Sequence, residues 1–570
     1  QVAFGYDTQG RLGSITAPHG VTTLAYDPTT GQLASITTPD GQQLSYIHDG
    51  FLETGVTWAG TVAGSVTRAY NADFRVTETK VNGALPVSYA YDADGLLTVA
   101  GGLTITRDPQ NGLITGTAIG AVTDTRTTNA FGEPTGLTAT VSGSPVLSTN
   151  FTRDSLGRIS QKVETIQGQT TTFDYTYDAA GRLWQVLKTP QGGAPLTTTY
   201  AYDANGNRLS KTDQTGTVTA TVDAQDRLLT YGDTTYQYNA HGDLTSKTQN
   251  GATVTYDYDV FGNLRHATLD SGIEIDYVID GRHRRIGKKV NGTLVQGFLY
   301  DDQLRIAAEL DGVGAVVSRF AYGTHVNVPE LIVKGATTYR IVHDHLGSPR
   351  LVINTADGSI AQRLDFDEFG IVTLDTNPGF QPFGFAGGLN DPQTKLVRFG
   401  ARDYDAQTGR WTAKEPLGFV GLEKNRFAYS GSDPVNHHDP TGLLVWICNR
   451  RSARLGNFQA NHAYLWFPRN GNPFGGISCG MQWVCGGRPE SAWNQENGPA
   501  TDNCAPVLGS TPFEDLILRC CAKTANSGAW APPFRDCHNA AQRCLKKYGL
   551  WAEVPGGRLS TPDMGVTLYD

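Results

Sequence analysis

Residues 171–183 read TTFDYTYDAAGRL, and the pattern in this stretch decides the fold. A run of Thr, Phe and Tyr ends at Tyr177 and Asp178, and a short turn with Gly181 leads to a basic residue and Leu183. β-branched and aromatic residues favour strands, whereas Asp hydrogen-bonds the backbone ahead of it and Gly accepts a positive φ. The stretch therefore predicts two strands joined by a tight turn.

The same unit recurs through the first two-thirds of the chain, at irregular intervals of about 20 to 30 residues. Because an isolated hairpin is only marginally stable, we expect the hairpins to stack edge to edge into one continuous sheet. The acidic residue of each unit is predicted to be a turn residue and not a catalytic carboxylate. Spacing alone is equally compatible with a shell, a solid solenoid or a propeller. Further copies of the unit begin at Tyr6, Tyr26, Tyr91, Arg153, Tyr202, Tyr238 and Tyr258.

Composition limits the class of protein. A chain of 570 residues is too long to fold around one ordinary hydrophobic core. Its net charge of −9 gives no reason to expect a surface that binds nucleic acid. No apolar run approaches the roughly 18 residues that span a bilayer, so we predict no membrane span. Because Gln1 is neither an initiator Met nor the start of a signal peptide, we expect a trimmed piece of a longer protein. We predict no cofactor and no metal site.

The cysteines divide the chain. All eight follow residue 443, and a uniform domain would not segregate them in this way. Two modules are therefore predicted to meet near residue 443. The eight are Cys448, Cys479, Cys485, Cys504, Cys520, Cys521, Cys537 and Cys544.

Several ordered motifs lie between residues 339 and 443. They include YRIVHDHLGSPR at 339–350, RDYDAQTGRW at 402–411 and DPTGL at 439–443. Together with the Tyr-Asp units, they resemble the core of the RHS/YD-repeat family of bacterial polymorphic toxins. The resemblance implies that the β-sheet spirals into a hollow shell enclosing a C-terminal toxin.

The resemblance also divides the chain and implies partners. It implies a YD-repeat shell over 1–338, an RHS-associated core domain over 339–443 and a small α+β, cysteine-rich effector domain over 444–570. Its implied partners are the enclosed effector, an immunity protein and a secretion or delivery apparatus, so that the protein would be secreted.

In that family the final Asp-Pro-x-Gly-Leu marks a self-cleavage site, where two carboxylates act like an aspartic-protease pair. Two close carboxylates suit this chemistry because they do not both ionise easily. The resemblance assigns Asp439 as one carboxylate, Arg402 as the accompanying Arg, and Leu443-Leu444 as the scissile bond.

The first carboxylate departs from the family pattern, because Glu415 stands where Asp is usual. The extra methylene displaces the acid, and a misplacement of about 1 Å can cost on the order of 100-fold in rate. Cleavage could therefore be intact, slow or lost. The alternative is that Glu415, Asp433 and Asp439 only cap turns before proline.

The effector region contains a candidate Cys–His pair. Residues 461–467 predict a strand that bears His462 and ends at Pro468, and residues 535–549 predict a helix with Cys537 in its first turn. A helix N-terminus lowers the pKa of a thiol, and a nearby His can act as its base. The order of His and Cys resembles the permuted papain-like NlpC and lecithin retinol acyltransferase enzymes, which implies a hydrolase or acyltransferase.

Other interpretations of the tail stay open. Eight cysteines in an exported domain are equally typical of a disulfide scaffold, and a zinc site is disfavoured because no paired Cys-x-x-Cys knuckles occur. A helix would place Cys537 and Cys544 roughly 10.5 Å apart, too far for a mutual disulfide. A small phospholipase-like enzyme lacks a convincing calcium loop. The alternative function is a YD-repeat adhesion or structural surface protein with a binding tail.

Overall fold

The computed structural model describes residues 2–84, 86–416 and 425–443, together with the backbone of strands between Trp446 and Ala552. Thirty-six strands, β1 to β36 in chain order, form one sheet. The first eighteen are Ala3–Tyr6, Leu12–Ala17, Gly20–Tyr26, Leu33–Thr37, Gln43–Asp49, Leu52–Ala59, Gly64–Tyr70, Val76–Val81, Val87–Tyr91, Leu97–Ala100, Leu103–Arg107, Ile114–Ile119, Val122–Thr128, Pro134–Val141, Ser144–Arg153, Ile159–Ile166, Gln169–Tyr177 and Leu183–Pro190. The next eighteen are Leu196–Tyr202, Arg208–Asp213, Gly216–Val222, Leu228–Tyr231, Thr234–Tyr238, Leu244–Gln249, Ala252–Tyr258, Leu264–Thr268, Glu274–Ile279, Arg285–Val290, Thr293–Tyr300, Ile306–Asp311, Val316–Ala321, Leu331–Lys334, Thr337–His343, Pro349–Asn354, Ile360–Phe366 and Val372–Asp375.

Each strand of this sheet pairs antiparallel with the strands before and after it in the chain. The strand β17, for example, pairs with β16 and with β18. The sheet is thus a continuous series of hairpins, as the repeats predict. The predicted mostly β class is confirmed.

The Tyr-Asp turns are held by the aspartate, as the turn at Asp178 illustrates. Its Oδ1 accepts the backbone N–H groups of Ala180 and Arg182 at 2.9 and 3.0 Å, and its Oδ2 accepts from Arg182 Nε at 2.7 Å. Gly181 donates its N–H to the Asp178 carbonyl and has a φ of +86°. Both oxygens of the Asp178 carboxylate therefore accept hydrogen bonds within the turn, which gives this side chain a structural role.

The tyrosine of the unit links neighbouring repeats. The hydroxyl of Tyr202 donates to the carbonyl of Leu183 at 2.8 Å, and the hydroxyl of Tyr177 donates to the carbonyl of Ile159 at 2.6 Å. In both cases the acceptor is the residue that opens the strand after the preceding turn. These two Tyr-Asp pairs thus fix both their own turn and the adjacent repeat.

The sheet closes back on itself as a spiral, because residues about 190 to 230 positions apart meet in buried ion pairs and hydrogen bonds. Arg340 contacts Asp124 at 2.9 Å, and Trp58 Nε1 donates to Asp280 at 3.3 Å. One hydrophobic cluster likewise contains residues from both Ile36–Val81 and Val278–Phe383. Later strands therefore pack over earlier ones.

Arg350 makes a strong buried contact between distant parts of the spiral. It binds the carboxylate of Glu164 through two nitrogens at 2.5 and 2.9 Å and also contacts Asp365 at 2.8 Å. Burial works to raise the pKa of Glu164, but the charges of nearby Lys162 and Arg350 outweigh it and lower this pKa to about 2. The pair therefore stabilises the ionised carboxylate in the folded state.

Replacing Arg350 with leucine is expected to lower the free energy of unfolding by about 3 to 5 kcal/mol, because two carboxylates lose their buried partner. Glu164 has a lowered pKa in the folded chain, so its contribution is present above about pH 4.5 and lost as the pH falls toward 2. Urea titrations at pH 7 and pH 3 measure both effects. Arg11→Leu, which removes a partly exposed pair with Asp7, is the control with a much smaller loss. Equal losses in the two variants would contradict the assignment.

A small second sheet follows β36 and carries part of the candidate site. It consists of β37 to β40, namely Leu389–Asn390, Leu396–Phe399, Arg402–Asp405 and Arg410–Trp411. Two short 3-10 helices, Phe385–Gly387 and Ser430–Ser432, flank it among the described residues. Buried aromatic rings join these elements: Phe385, Phe399, Tyr404, Trp411 and Tyr429. The predicted boundary at residue 338 lies within a continuous sheet, because β33 runs from Thr337 to His343.

The C-terminal region contains eight described strands, β41 to β48: Trp446–Arg451, Asn461–Arg469, Asn472–Cys479, Met481–Trp483, Pro489–Ser491, Gln495–Asn497, Asn503–Leu508 and Trp551–Ala552. The strand β42 pairs with both β41 and β43. It continues through Pro468, where we expected it to end. Among the described strands, Pro468 lies beyond the part of β42 that pairs with β41 and pairs with Gly476 of β43, an edge-like position at which a sheet tolerates proline.

The helix predicted over 535–549 lies outside the described residues. Within the described part of the chain, no helix has the length and apolarity needed to cross a bilayer.

Candidate active site

One arginine lies between two carboxylates near the end of the described core. Arg402, the first residue of β39, places Nη2 at 2.6 Å from Glu415 Oε2 and at 3.3 Å from Asp439 Oδ2. Its planar guanidinium also lies 4.0 Å over the ring of Trp411, which fixes its orientation. The structure thus brings together the three residues that the motifs single out, and the extra methylene of Glu415 does not keep it from the arginine. Their role in cleavage stays a prediction.

All three side chains are buried. Arg402 is 2% exposed, Glu415 7% and Asp439 0%. Burial raises the pKa of Asp439 above its usual value, although the Arg402 charge and hydrogen bonds from Thr441 and Leu443 act in the opposite direction. Asp439 therefore holds a proton more readily than an exposed aspartate does.

The turn after Asp439 folds back over the same group. Asp439 Oδ1 accepts the backbone N–H groups of Thr441 and Leu443 at 3.2 and 3.3 Å. Arg402 Nε donates to the carbonyl of Gly442 at 2.6 Å. Gly442 has a φ of +64°, and a Cβ there would lie 2.6 Å from the carbonyl oxygen of Phe399, so only glycine fits. The turn therefore holds Leu443 beside the Asp439 carboxylate.

Thr441 is a member of the site that the sequence analysis missed. Its hydroxyl lies 2.9 Å from Asp439 Oδ1 and also contacts the carbonyl oxygen of Leu443, the carbonyl of the predicted scissile bond. The position between Pro and Gly in the motif carried no signal for this contact, because any small polar residue suits such a turn. The geometry places a hydroxyl between the acid and the carbonyl.

Asp433, the other acidic residue before a proline, has a different role. Its carboxylate accepts from Asn436 Nδ2 at 2.9 and 3.0 Å. Asn436 in turn accepts the backbone N–H of Ile159 at 2.8 Å and donates to the hydroxyl of Tyr177 at 2.8 Å. Asp433 therefore anchors the segment before the active site to β16 and β17.

The remaining predicted residues lie further along the chain. His462 lies in β42, where its Cα pairs with that of Arg450 in β41. Leu444 and Cys537 lie outside the described residues, so the candidate pair of His462 and Cys537 stays a prediction.

The comparisons with known proteins agree with this fold. Teneurin-4 of Mus musculus is 28% identical over 331 residues, covering 55% of this chain and 12% of the relative. Teneurin-1 of Mus musculus is 27% identical over 508 residues, covering 82% and 18%. This chain therefore spans less than a fifth of the length of these relatives.

Two solved structures have the same fold over most of this chain. The crystal structure of TcdB2-TccC3 superposes with a TM-score of 0.54 at 14% identity, covering 78% of this chain and 28% of that chain. The structure of the Photorhabdus luminescens Tc holotoxin pore superposes with a TM-score of 0.54 at 13% identity, covering 78% and 27%.

The family follows from the match of the shell itself. The Teneurin YD-shell family model matches residues 1–431, which include all 36 strands of the large sheet and the small sheet that carries Arg402. The predicted YD-repeat shell is thereby confirmed, and the chain belongs to the Teneurin YD-shell family.

Proposed function

We propose that this chain is part of a secreted bacterial toxin of the RHS type. Its shell encloses the C-terminal effector and cuts the chain between Leu443 and Leu444. The observation that carries the proposal is the placement of Arg402 between Glu415 and Asp439, one turn before the scissile bond. Structural likeness to the shell of a Tc holotoxin supports the toxin class.

The two carboxylates have different tasks in the proposed hydrolysis. Glu415, ion-paired with Arg402, takes a proton from the attacking water, and the water oxygen bonds to the carbonyl carbon of Leu443. Asp439, whose pKa is raised by burial, supplies a proton to the developing tetrahedral group. Collapse of this group breaks the bond to the Leu444 nitrogen, which takes the proton held by Glu415 and leaves as an amine, while a hydroxyl proton of the tetrahedral group returns to Asp439 as the new carboxyl of Leu443 forms.

Thr441 connects the acid to the carbonyl. A hydroxyl carries one proton, so it donates to only one of its two neighbours at a time. When Asp439 is protonated, it donates to Thr441 Oγ1 and leaves the hydroxyl proton for the carbonyl oxygen of Leu443. Thr441 thereby stabilises the negative charge that develops on this oxygen.

Replacing Thr441 with valine is expected to slow self-cleavage by about 100-fold or more, because one donor to the developing oxyanion is lost. Thr441→Ser keeps the hydroxyl and is the matched control, expected to cleave at nearly the normal rate. The rate is measured by denaturing electrophoresis of freshly expressed chain over time. Equal rates for valine and serine would remove Thr441 from the mechanism.

The new C-terminus at Leu443 would stay in place after the cut. Asn425 contacts Asn207 at 2.5 Å, and Asn436 binds Ile159 and Tyr177, so the segment before Leu443 is anchored to strands of the large sheet. Self-cleavage would therefore sever the covalent link without opening the shell. The proposed partners are the enclosed effector, an immunity protein and a delivery apparatus.

Expression of residues 444–570 alone in bacteria, with growth as the readout, tests the toxin function. The fragment is expected to arrest growth, whereas the full chain carrying Asp439→Asn is expected to be tolerated because its effector stays enclosed and attached. Normal growth with well-expressed fragment, directed to the cytoplasm and to the periplasm, would contradict a bacterial target.

The second candidate function is a surface protein with a YD-repeat shell and a disulfide-rich binding tail. Relatives at 27 to 28% identity are teneurins, whereas the Tc toxin structures match at 13 to 14%. A chain that stays intact and a tail without effect on growth would favour this candidate.

A further inference from the structure

Two histidines and a glutamate converge in the shell, away from the carboxylate pair. His325 and Glu330 lie in the connection between β31 and β32, and His343 is the last residue of β33. His325 Nδ1 is 3.2 Å from Glu330 Oε1, and His343 Nε2 is 3.8 Å from the same oxygen. One potential ligand atom from each residue lies within 4.8 Å of the others.

We propose that His325, Glu330 and His343 form a binding site for a divalent transition-metal ion of the zinc class. Zinc binds imidazole nitrogen and carboxylate oxygen at about 2.0 to 2.2 Å, which separates tetrahedral ligand atoms by about 3.4 Å. The distances of 3.2 and 3.8 Å bracket this value. A pair of imidazoles with one carboxylate is a typical zinc ligand set with the fourth position left for water.

The state of His343 is the second observation that points to a ligand. The residue is 3% exposed, and its Nε2 finds no hydrogen-bond partner among the described residues. A buried imidazole nitrogen without a partner costs free energy that a metal ion would recover.

The backbone around Glu330 holds its carboxylate in place. Its Oε1 accepts the N–H of Thr324 at 2.9 Å, and its Oε2 accepts the N–H of Gly323 at 2.5 Å. The residue is 0% exposed, and its carbonyl accepts the N–H of Ile341 in β33 at 2.8 Å. The carboxylate is thus oriented before any ion binds, as second-sphere hydrogen bonds orient ligands in metal sites.

The metal would join two elements that are separated in sequence. It would fix the connection after β31 to the end of β33, so its effect would be structural. The sequence predicts no metal site, because it contains no paired Cys-x-x-Cys knuckles and these three residues share no short motif. The site neither uses nor requires Arg402, Glu415 or Asp439.

Zinc binding to the full chain tests the site. Chain stripped by a chelator and kept reduced is titrated with zinc sulfate, and bound zinc is counted by mass spectrometry after removal of free ion. Reduced thiols in general can take up added zinc, so the readout is the difference between variants that share the same eight cysteines. Wild type is expected to hold one equivalent more than Glu330→Gln and than His325→Ala, and zinc is expected to raise its unfolding temperature more.

His266→Ala is the matched control, because His266 also contacts a carboxylate, that of Asp276 at 2.7 Å, without a second imidazole in the set. It is expected to hold as much zinc as wild type. His325 is partly exposed, so its variant tests the site even where Glu330→Gln fails to fold. Equal zinc content in wild type, His325→Ala and His266→Ala would overturn the proposal.

Discussion

Asp439→Asn is expected to leave the full chain in one piece, with self-cleavage slowed by at least about 100-fold. The amide cannot hold the acidic proton that the proposed mechanism passes through Thr441 to the Leu443 carbonyl. It also removes the negative charge that pairs with Arg402 Nη2. Denaturing electrophoresis of wild type and variant after the same expression time measures the effect.

The matched control is Asp433→Asn. Asp433 is also buried before a proline and has a pKa raised by burial, but its carboxylate binds Asn436. Cleavage is expected to continue in this variant, provided that its circular dichroism spectrum matches that of wild type. Loss of cleavage in Asp433→Asn with intact fold, or normal cleavage in Asp439→Asn, would contradict the assignment of the acid.

The second large effect concerns the effector. If Cys537 is the nucleophile and His462 its base, the toxicity of residues 444–570 is expected to disappear in Cys537→Ser and in His462→Ala. A serine hydroxyl is a far weaker nucleophile than a thiolate, and a thiol without its base stays protonated. Growth of bacteria expressing each fragment at matched levels measures the effect.

Cys544→Ser is the control, because it removes a cysteine of the same predicted helix without touching the pair. This variant is expected to stay toxic. Mass spectrometry of the unreduced wild-type chain supplies an independent check. A native disulfide at Cys537 would contradict the hypothesis of a hydrolase or acyltransferase, since an oxidised sulfur cannot attack a substrate.

Local features of the fold could be predicted from the sequence, whereas distant contacts could not. The turn at Asp178 follows from a few neighbouring residues, because the carboxylate and Gly181 satisfy the backbone within one turn. The ion pair of Arg350 with Glu164 joins residues 186 positions apart. The alternating pattern of a strand does not indicate which distant charge will lie opposite, so the residues that meet across the spiral could be identified only in the structure.

In the candidate site, too, residues that belong to sequence motifs could be predicted, whereas residues that meet only through the fold could not. Arg402, Glu415 and Asp439 were found because they belong to motifs that resemble a known family. Thr441 was missed because its contact with the Leu443 carbonyl depends on the geometry of the turn. His343 belongs to a noted motif, yet its partners at 325 and 330 approach it only through the pairing of β32 with β33.

The intact mass of the purified wild-type chain tests the central claim most directly. Mass spectrometry under denaturing conditions is expected to find two species, residues 1–443 and 444–570, whereas gel filtration under native conditions is expected to give a single peak. A single mass for all 570 residues after prolonged incubation, unchanged by Glu415→Asp, would contradict self-cleavage at Leu443 and with it the proposed release of the effector.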